Sequence, residues 1–378
     1  MTAVISGIGQ TEYAHALDAP ADTLALRATL AAADDAGLDP RSIDGIVSYP
    51  GHPDAETMIA NLRLPDVRFR AATTIGGAAA VSAVGVAAMA VRAGAADHVL
   101  VLRATRAGTG ARKEKAAEQL PNPELRQQFE FPVGWNSAAQ RYALLARAFM
   151  ARHDLTRDHL AEVALAARDH AQLNPAAQLY GKPLTREQYL AGRVIADPFW
   201  RHDCCLRTDG ACAVLVSRGE DAGDRAVPVI AVAEGHPATP DDMVSRPDLL
   251  DTGLSRAAAR LWRQSGYQPA DVDAVMIYDC FTFEVAHQLV AGGFVDADEV
   301  GAFIASGATR IGGRLPVNTH GGLLAEANMS GLSHVLEAVR QLRGESAERQ
   351  LASPQLVAVT GWGYLGDGSI ALLGGHHG

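Results

Sequence analysis

GLDPRSIDGIVSY at residues 37–49 and GYQPADVDAVMIY at residues 266–278 are two copies of one unit. Gly37 aligns with Gly266, Pro40 with Pro269, Asp44 with Asp273 and Tyr49 with Tyr278, and an Ala/Leu-rich helical segment precedes each copy. Glycine suits the left-handed position just past a helix's last turn. Proline then stops the helix from resuming, and the β-branched run that follows has the composition of a strand. A helix–turn–strand unit that recurs so far along the chain predicts a duplicated architecture.

The flanking sequence repeats the relation. Residues 78–92 form an apolar helical segment ended by Gly94 and followed by the strand HVLVLRA, while residues 331–343 are ended by Gly344 and followed by LVAVTGW. Each half also opens on a strand, TAVISGIG at 2–9 and VPVIAVAEG at 227–235. Strands alternating with helices predict an α/β fold with a mostly parallel sheet covered on both faces. The expected division is residues 1–225 and 226–378, with an insertion or cap at about 106–203 marked by Pro121, Pro123, Pro132, Pro175, Pro183 and Pro198.

Composition narrows the function. Acidic residues outnumber basic ones by 43 to 33, a balance that argues against nucleic acid, whose phosphates call for a basic face. The longest apolar stretch, 78–91, is broken by Ser82 and Gly85 and is too short for a membrane span. The opening MTAVISGIGQTEYA has no basic, then apolar, leader pattern, so the cytoplasm is the expected compartment. Cys204, Cys205, Cys212 and Cys280 lack zinc-ligand spacing, and no metal site is expected. The run RAGTGARKEK at 106–115 reads either as a solvated loop or as a reach toward the phosphates of an anionic cofactor.

Four further segments carry a family resemblance: VISGIGQTEY at 4–13, DCCLRTDGACAVLVS at 203–217, YDCFTFE at 278–284 and NTHGGLLAEANMSGLSH at 318–334. Together they resemble the thiolase superfamily, in its sterol-carrier or lipid-transfer branch. The resemblance implies two pseudo-symmetric βαβαβαββ halves in a five-layer αβαβα body. It also implies a nucleophilic cysteine at the start of the first half's central helix, a position that falls in TTIGGAAAV near Gly76, yet no cysteine precedes Cys204. The family's Gly-His-Pro motif stands here as Ala327-Asn328-Met329, and its C-terminal Cys-Gly motif is replaced by TGWGYLGDG at 360–368. Thiolysis through an acyl-cysteine is therefore not expected.

This pattern resembles the thiolase-like aldolases of steroid side-chain degradation, which cleave β-hydroxyacyl-CoA by retro-aldol chemistry. The resemblance implies tyrosine acid/base residues and coenzyme A as part of the substrate, with no covalently bound cofactor. It also implies a homodimer formed through the first halves and a zinc-ribbon/OB-fold partner that helps bind the acyl-CoA. Tyr278 replaces the His of a His-Asp-Cys-Phe motif, and Tyr364 occupies the glycine-rich loop near the missing cysteine. These two and His320 are the expected acid/base groups, and Asn328 with the backbone N–H groups beside Gly76, Gly77, Gly321 and Gly322 would hold the enolate oxygen and substrate.

Each assignment has a plainer counterpart. Tyr278 reads equally as a core tyrosine matching Tyr49, His320 as a turn histidine bonded to backbone, and Gly76 and Gly77 as a tight helix entry. His334 reads as a packed helix histidine, and Cys204, Cys205, Cys212 and Cys280 as small core hydrophobes. His376 and His377 belong to a C-terminal tail. The alternatives to a lyase are an acyltransferase using other residues and a non-catalytic acyl-CoA-binding or lipid-binding subunit.

Overall fold

The repeated turn is built the same way twice. Gly37 (φ 66°) ends the first helix and donates to Ala33 and Asp34 carbonyls, and Gly266 (φ 77°) ends its counterpart and donates to Trp262. A single 3-10 turn follows in each copy, Pro40–Ser42 and Pro269–Asp271. The repeated aspartate then acts as a clasp: Asp44 accepts from the Asp97 and His98 N–H groups, and Asp273 from those of Gln355 and Leu356. Each carboxylate thus fixes the start of one strand to the start of its parallel neighbour.

The structure is a computed structural model describing residues 2–48, 53–109, 124, 126–239, 243 and 245–374. Tyr49, the basic run beyond Thr109, Pro121, Pro123, His376 and His377 lie outside the described residues. In chain order the elements are β1 (Ala3–Gln10), α1 (Ala21–Ala36), β2 (Gly45–Ser48), α2 (Ala55–Leu62), β3 (Phe69–Ala72), α3 (Ala79–Arg92) and β4 (His98–Arg106). The cap follows with α4 (Ala138–Arg152), α5 (Arg157–Gln172), α6 (Arg186–Leu190), β5 (Val194–Ala196) and β6 (Phe199–Trp200). Then come β7 (Asp209–Arg218), β8 (Val227–Gly235), α7 (Gly253–Ser265), β9 (Ala274–Met276), α8 (Thr282–Ala291) and α9 (Val300–Ala305). The chain closes with α10 (Gly322–Ala325), α11 (Leu332–Arg343), β10 (Leu356–Gly363) and β11 (Asp367–Gly374).

The main sheet has nine strands in the order β3-β2-β4-β7-β1-β8-β11-β10-β9. Leaving aside the small β5–β6 ribbon, the first half reads third, second, fourth, fifth, first, and the second half reverses it from first to fifth, fourth and second. The missing third place is filled by the segment around Val317, which makes a parallel bridge to Val275. The halves meet where β1 pairs antiparallel with β8, at Val4 with Pro228 and Ile5 with Val227. Duplication is therefore visible in topology as well as in sequence.

The sheet is mixed, which corrects the expectation of mostly parallel strands. Among the nine strands, parallel pairing is confined to β2 with β3 and β4, and to β9 with β10. β7 returns from the cap and β11 returns through a tight hairpin, so both enter antiparallel to their neighbours.

Helices make the other layers. α3 and α11 lie between the half-sheets, their Ala, Val and Leu side chains sharing one core with the inward faces of β1, β4, β7, β8, β9, β10 and β11. α1 covers the first half-sheet outside, with Leu24, Ala25, Ala28 and Ala32 against Leu100, Leu102 and Leu215. α7 covers the second, and the inner faces of α4 and α5 join it in one core with α8. The cap is thus anchored on the second half. Among the described residues no helix is long and apolar enough to cross a membrane.

Candidate active site

Four backbone segments converge at the N-terminal end of α3. A 3-10 turn at Gly76–Ala78 opens that helix, and the β10–β11 hairpin approaches it so closely that a Cβ on Gly76 would lie 2.7 Å from the Tyr364 nitrogen. A Cβ on Gly77 would lie 2.2 Å from Tyr278 Cζ and 2.4 Å from the Trp362 carbonyl oxygen. Only glycine fits there, because the Tyr278 ring rests on the backbone that starts the helix. The adjacent ring edge faces Gly331, just before α11, whose own Cβ would stand 3.2 Å from Tyr278 Cδ2. Tyr278 is 8% exposed.

Its backbone is locked by the second half. Gln288 of α8 donates to the Tyr278 carbonyl at 2.6 Å and accepts from Thr360 of β10 at 2.8 Å. Tyr364 is held at its hydroxyl and at its carbonyl. Its φ is 44°, its hydroxyl donates to the Thr74 carbonyl at 2.5 Å, and its own carbonyl accepts from the Tyr142 hydroxyl of α4. A left-handed backbone at a non-glycine residue costs of order 1 kcal/mol, and these bonds hold it in place. Next in sequence, the Leu365 carbonyl accepts from buried Arg246 at 2.9 Å. Tyr142 also ties the cap to the site through its ring, 5.1 Å from Phe281 and 6.2 Å from Trp362 between centroids.

Asn328 lies half-buried on the approach to α11. Its side-chain amide donates to Cys205 Sγ at 3.2 Å, its side-chain oxygen accepts from Ser330, and its backbone N–H donates to Thr208. Cys205 Sγ in turn lies 3.1 Å from Cys280 Sγ. This revises the reading of the cysteines: Cys212 is a fully buried strand residue, but Cys205 and Cys280 are half-buried neighbours of Asn328.

Gly321, Gly322 and His320 sit deeper. The space before Gly322 is taken by the Asp279 carboxylate, 2.0 Å from where a Cβ would be, and Gly321 packs on Ala171 of α5. Asp279 accepts from the Leu323 N–H at 2.7 Å and faces His334 at 3.2 Å. His334 Nε2 lies 2.8 Å from the Ile277 carbonyl and so carries a hydrogen, which leaves Nδ1 to accept from His320 Nε2 at 3.0 Å. His320 has no exposed surface, and its ring is linked toward Asp279 through His334.

Burial sets the charges of this interior. It raises the pKa of Asp279 against the opposing pull of His334, raises that of Glu284 well above the carboxylate range, and lowers that of His320 well below the usual imidazole value. Glu326, bonded to Asn174, is pushed up to about 8, chiefly by burial.

The sequence candidates thus form three groups. Tyr278, Tyr364, Gly76 and Gly77 border the mouth of α3, Asn328 lies beside Cys205 on the approach to α11, and His320, Gly321 and Gly322 form a buried support behind Tyr278. Tyr142, Thr74, Cys205, Glu284 and Gln288 were not anticipated. Glu284 was within reach, because a Glu three residues into the Phe281-Thr-Phe-Glu helix start is a capping signal, and its carboxylate accepts from the Phe281 N–H at 3.1 Å.

Two mirror-ordered half-sheets around a shared helical layer, with a central helix opening onto converging loops, define a thiolase-fold protein. The family model "Thiolase C-terminal domain-like" matches residues 235–374. A 17-hydroxy-3-oxo-4-pregnene-20-carboxyl-CoA lyase of Mycobacterium tuberculosis is 37% identical over 96% of this chain and 96% of its own. A steroid side-chain-cleaving aldolase of Thermomonospora curvata is 36% identical over 92% of each. The solved structure described as "Ltp2-ChsH2(DUF35) aldolase" superposes with a TM-score of 0.93 at 34% identity, covering 100% of this chain and 98% of that one. The chain belongs to the steroid side-chain-cleaving aldolases of the thiolase superfamily.

Proposed function

We propose that this protein is a carbon–carbon lyase that cleaves a β-hydroxyacyl-CoA with a bulky, steroid-like acyl group by retro-aldol reaction. The observation that carries this reading is the Tyr278 ring seated on Gly77 at the start of α3, in a chain with no cysteine before Cys204. The similarity to a carboxyl-CoA lyase and to a side-chain-cleaving aldolase supports it.

In this reading a tyrosine takes the proton from the β-hydroxyl, the Cα–Cβ bond breaks to leave a carbonyl product, and its electrons pass to the thioester as an enolate. A second proton donor then delivers a proton to the enolate carbon, releasing a shortened acyl-CoA. Tyr278 and Tyr364 are the acid and base, since both border the start of α3. An unperturbed phenol has a pKa of about 10, so either ring depends on neighbouring donors or positive charge to ionise. Asn328 and the N–H groups at Gly76 and Gly77, with the positive end of α3, would stabilise the enolate oxygen. His320, Gly321 and Gly322 act behind them, holding Asp279 and with it the segment that carries Tyr278.

Coenzyme A enters as part of the substrate. The likeness to a structure described as joining Ltp2 to ChsH2(DUF35) supports a partner subunit, which we assign as a zinc-ribbon/OB-fold acyl-CoA-binding protein. Two copies would pair through the first halves, whose edge strand β3 has one free side among the described residues. Residues 1–225 and 226–378 are the two units, meeting at the β1–β8 seam, and the setting is cytoplasmic. The test is a product assay: release of a carbonyl compound and a shortened acyl-CoA without added free CoA supports the reading, and a requirement for free CoA would return the chain to the thiolases.

A further inference from the structure

Cys205 and Cys280 come from different halves of the fold and meet beside the candidate site. The segment before β7 runs antiparallel to the segment after β9: Cys204 bridges Phe281, and the Cys205 N–H donates to the Cys280 carbonyl at 2.8 Å. Cys205 therefore stands directly opposite Cys280. Opposed residues in antiparallel pairing have Cα atoms about 4.5–5.5 Å apart, within the range of about 4.4–6.8 Å that a disulfide spans. The sulfurs are already 3.1 Å apart, and both residues are half-buried. Cys204 turns away toward the Trp200 carbonyl, and Cys212 is enclosed in β7.

We propose that Cys205 and Cys280 are a modification site at which a peroxide forms a reversible disulfide that switches the site off. The chemistry balances with hydrogen peroxide as oxidant. The Cys205 sulfur attacks one peroxide oxygen, the O–O bond breaks, and a sulfenic acid and one water result. The Cys280 sulfur then attacks the sulfenic sulfur, the S–S bond forms, and the S–OH oxygen leaves as a second water. Both thiol hydrogens end in water, and a reducing dithiol reverses the step.

The consequence for the site follows from connectivity. Closing 3.1 Å to a bond of about 2.05 Å moves the two sulfurs by about 1 Å in all, through side-chain rotation and small shifts of the two segments. The Asn328 amide then loses the thiol it donates to, and the shift reaches Tyr278, two residues before Cys280, whose ring packs so closely on Gly77 that not even a Cβ would fit between them. A misplacement of about 1 Å in a catalytic constellation costs about a hundredfold in rate. The effect on turnover rests on the lyase reading, but formation of the bond does not.

The test treats the full-length protein, with its partner subunit where turnover needs one, with hydrogen peroxide and digests it without reduction. The expected result is a Cys205–Cys280 cross-linked peptide accompanied by a loss of turnover of at least about tenfold, both reversed by dithiothreitol. Cys205→Ser and Cys280→Ser, each compared with itself before and after oxidant, should lose that sensitivity. A Cys204–Cys205 cross-link, over-oxidised cysteines without a cross-link, or a Cys205–Cys280 cross-link with unchanged turnover would each overturn the switch. Absence of turnover in the reduced protein would count against the lyase reading instead, and the peptide map would still decide the bond.

Discussion

Replacing Gly77 by alanine places one methyl group at the point on which the site depends. The new Cβ would lie 2.2 Å from Tyr278 Cζ, 2.4 Å from Tyr278 Cε2 and 2.4 Å from the Trp362 carbonyl oxygen. Carbon atoms pack at about 3.5–4.0 Å, so the ring has to withdraw by more than about 1 Å. The Trp362 carbonyl cannot yield in its place, because β10 is paired with β11 along its full length, Trp362 opposite Gly368. Overpacking of this kind costs about 1–3 kcal/mol, against a typical domain stability of about 5–15 kcal/mol, so Gly77→Ala stays folded with a lower melting temperature. Turnover should fall by about a hundredfold, because the displaced group is the phenol proposed to move a proton. Gly223→Ala, which meets nothing within 4 Å, is the control. Turnover numbers from product release, measured beside thermal melts, decide the matter. A Gly77→Ala protein that melts lower but turns over at the wild-type rate would show that Tyr278 is not at the reaction centre.

Three further outcomes are expected. Tyr278→Phe and Tyr364→Phe should each lower turnover by about 10²–10⁴-fold with melting temperatures close to wild type, and wild-type rates in both would remove the tyrosine mechanism. Tyr142→Phe deletes the donor to the Tyr364 carbonyl, so it should slow the wild-type protein but add little in a Tyr364→Phe background. Simple additivity of the two would mean that Tyr142 acts elsewhere. Glu326, raised to about 8 by burial, holds a proton in the folded state that the unfolded chain releases near 4.5. Its contribution to stability is therefore full below that lower value and lost as pH rises through about 8. Glu326→Gln keeps the acceptor for Asn174 and removes the titration, so its melting temperature should exceed wild type by a margin that widens from about pH 5 to about pH 9. A margin that stays constant across that range would contradict the assignment.

The parts of the fold that were legible are those written in local chemistry. Gly37 and Gly266 terminate helices, Pro40 and Pro269 block their continuation, and the aspartates that follow act as clasps, so a pair of thirteen-residue stretches carried the duplication. Strand direction was not legible in the same way. Val214 and Leu372 have the apolar character of any buried strand, whichever way the chain runs, and only the paths through the cap and the tight hairpin make β7 and β11 antiparallel.

The site divides along the same line. Tyr278 and Tyr364 were found because they stand where the family carries other groups, and Gly77 because a glycine pair opens a helix. Tyr142 meets Tyr364 across 222 positions of chain and Cys205 meets Cys280 across 75. No periodicity or spacing reports such contacts, since each depends on how separate elements cross. Gly321 and Gly322 show the reverse error of scale: the motif was recognised, but the nearest carboxylate in space, Asp279, comes from another loop and fills the place that a ligand was expected to take.

The most direct test of the central claim is mass-spectrometric analysis of products from matched β-hydroxyacyl-CoA and β-ketoacyl-CoA thioesters. Each would be incubated with the protein and its partner subunit, with and without free CoA. The retro-aldolase account predicts a carbonyl product and a shortened acyl-CoA from the hydroxyacyl substrate alone, at a rate independent of free CoA. Cleavage of the ketoacyl substrate that requires free CoA, with the hydroxyacyl thioester left intact, would contradict it.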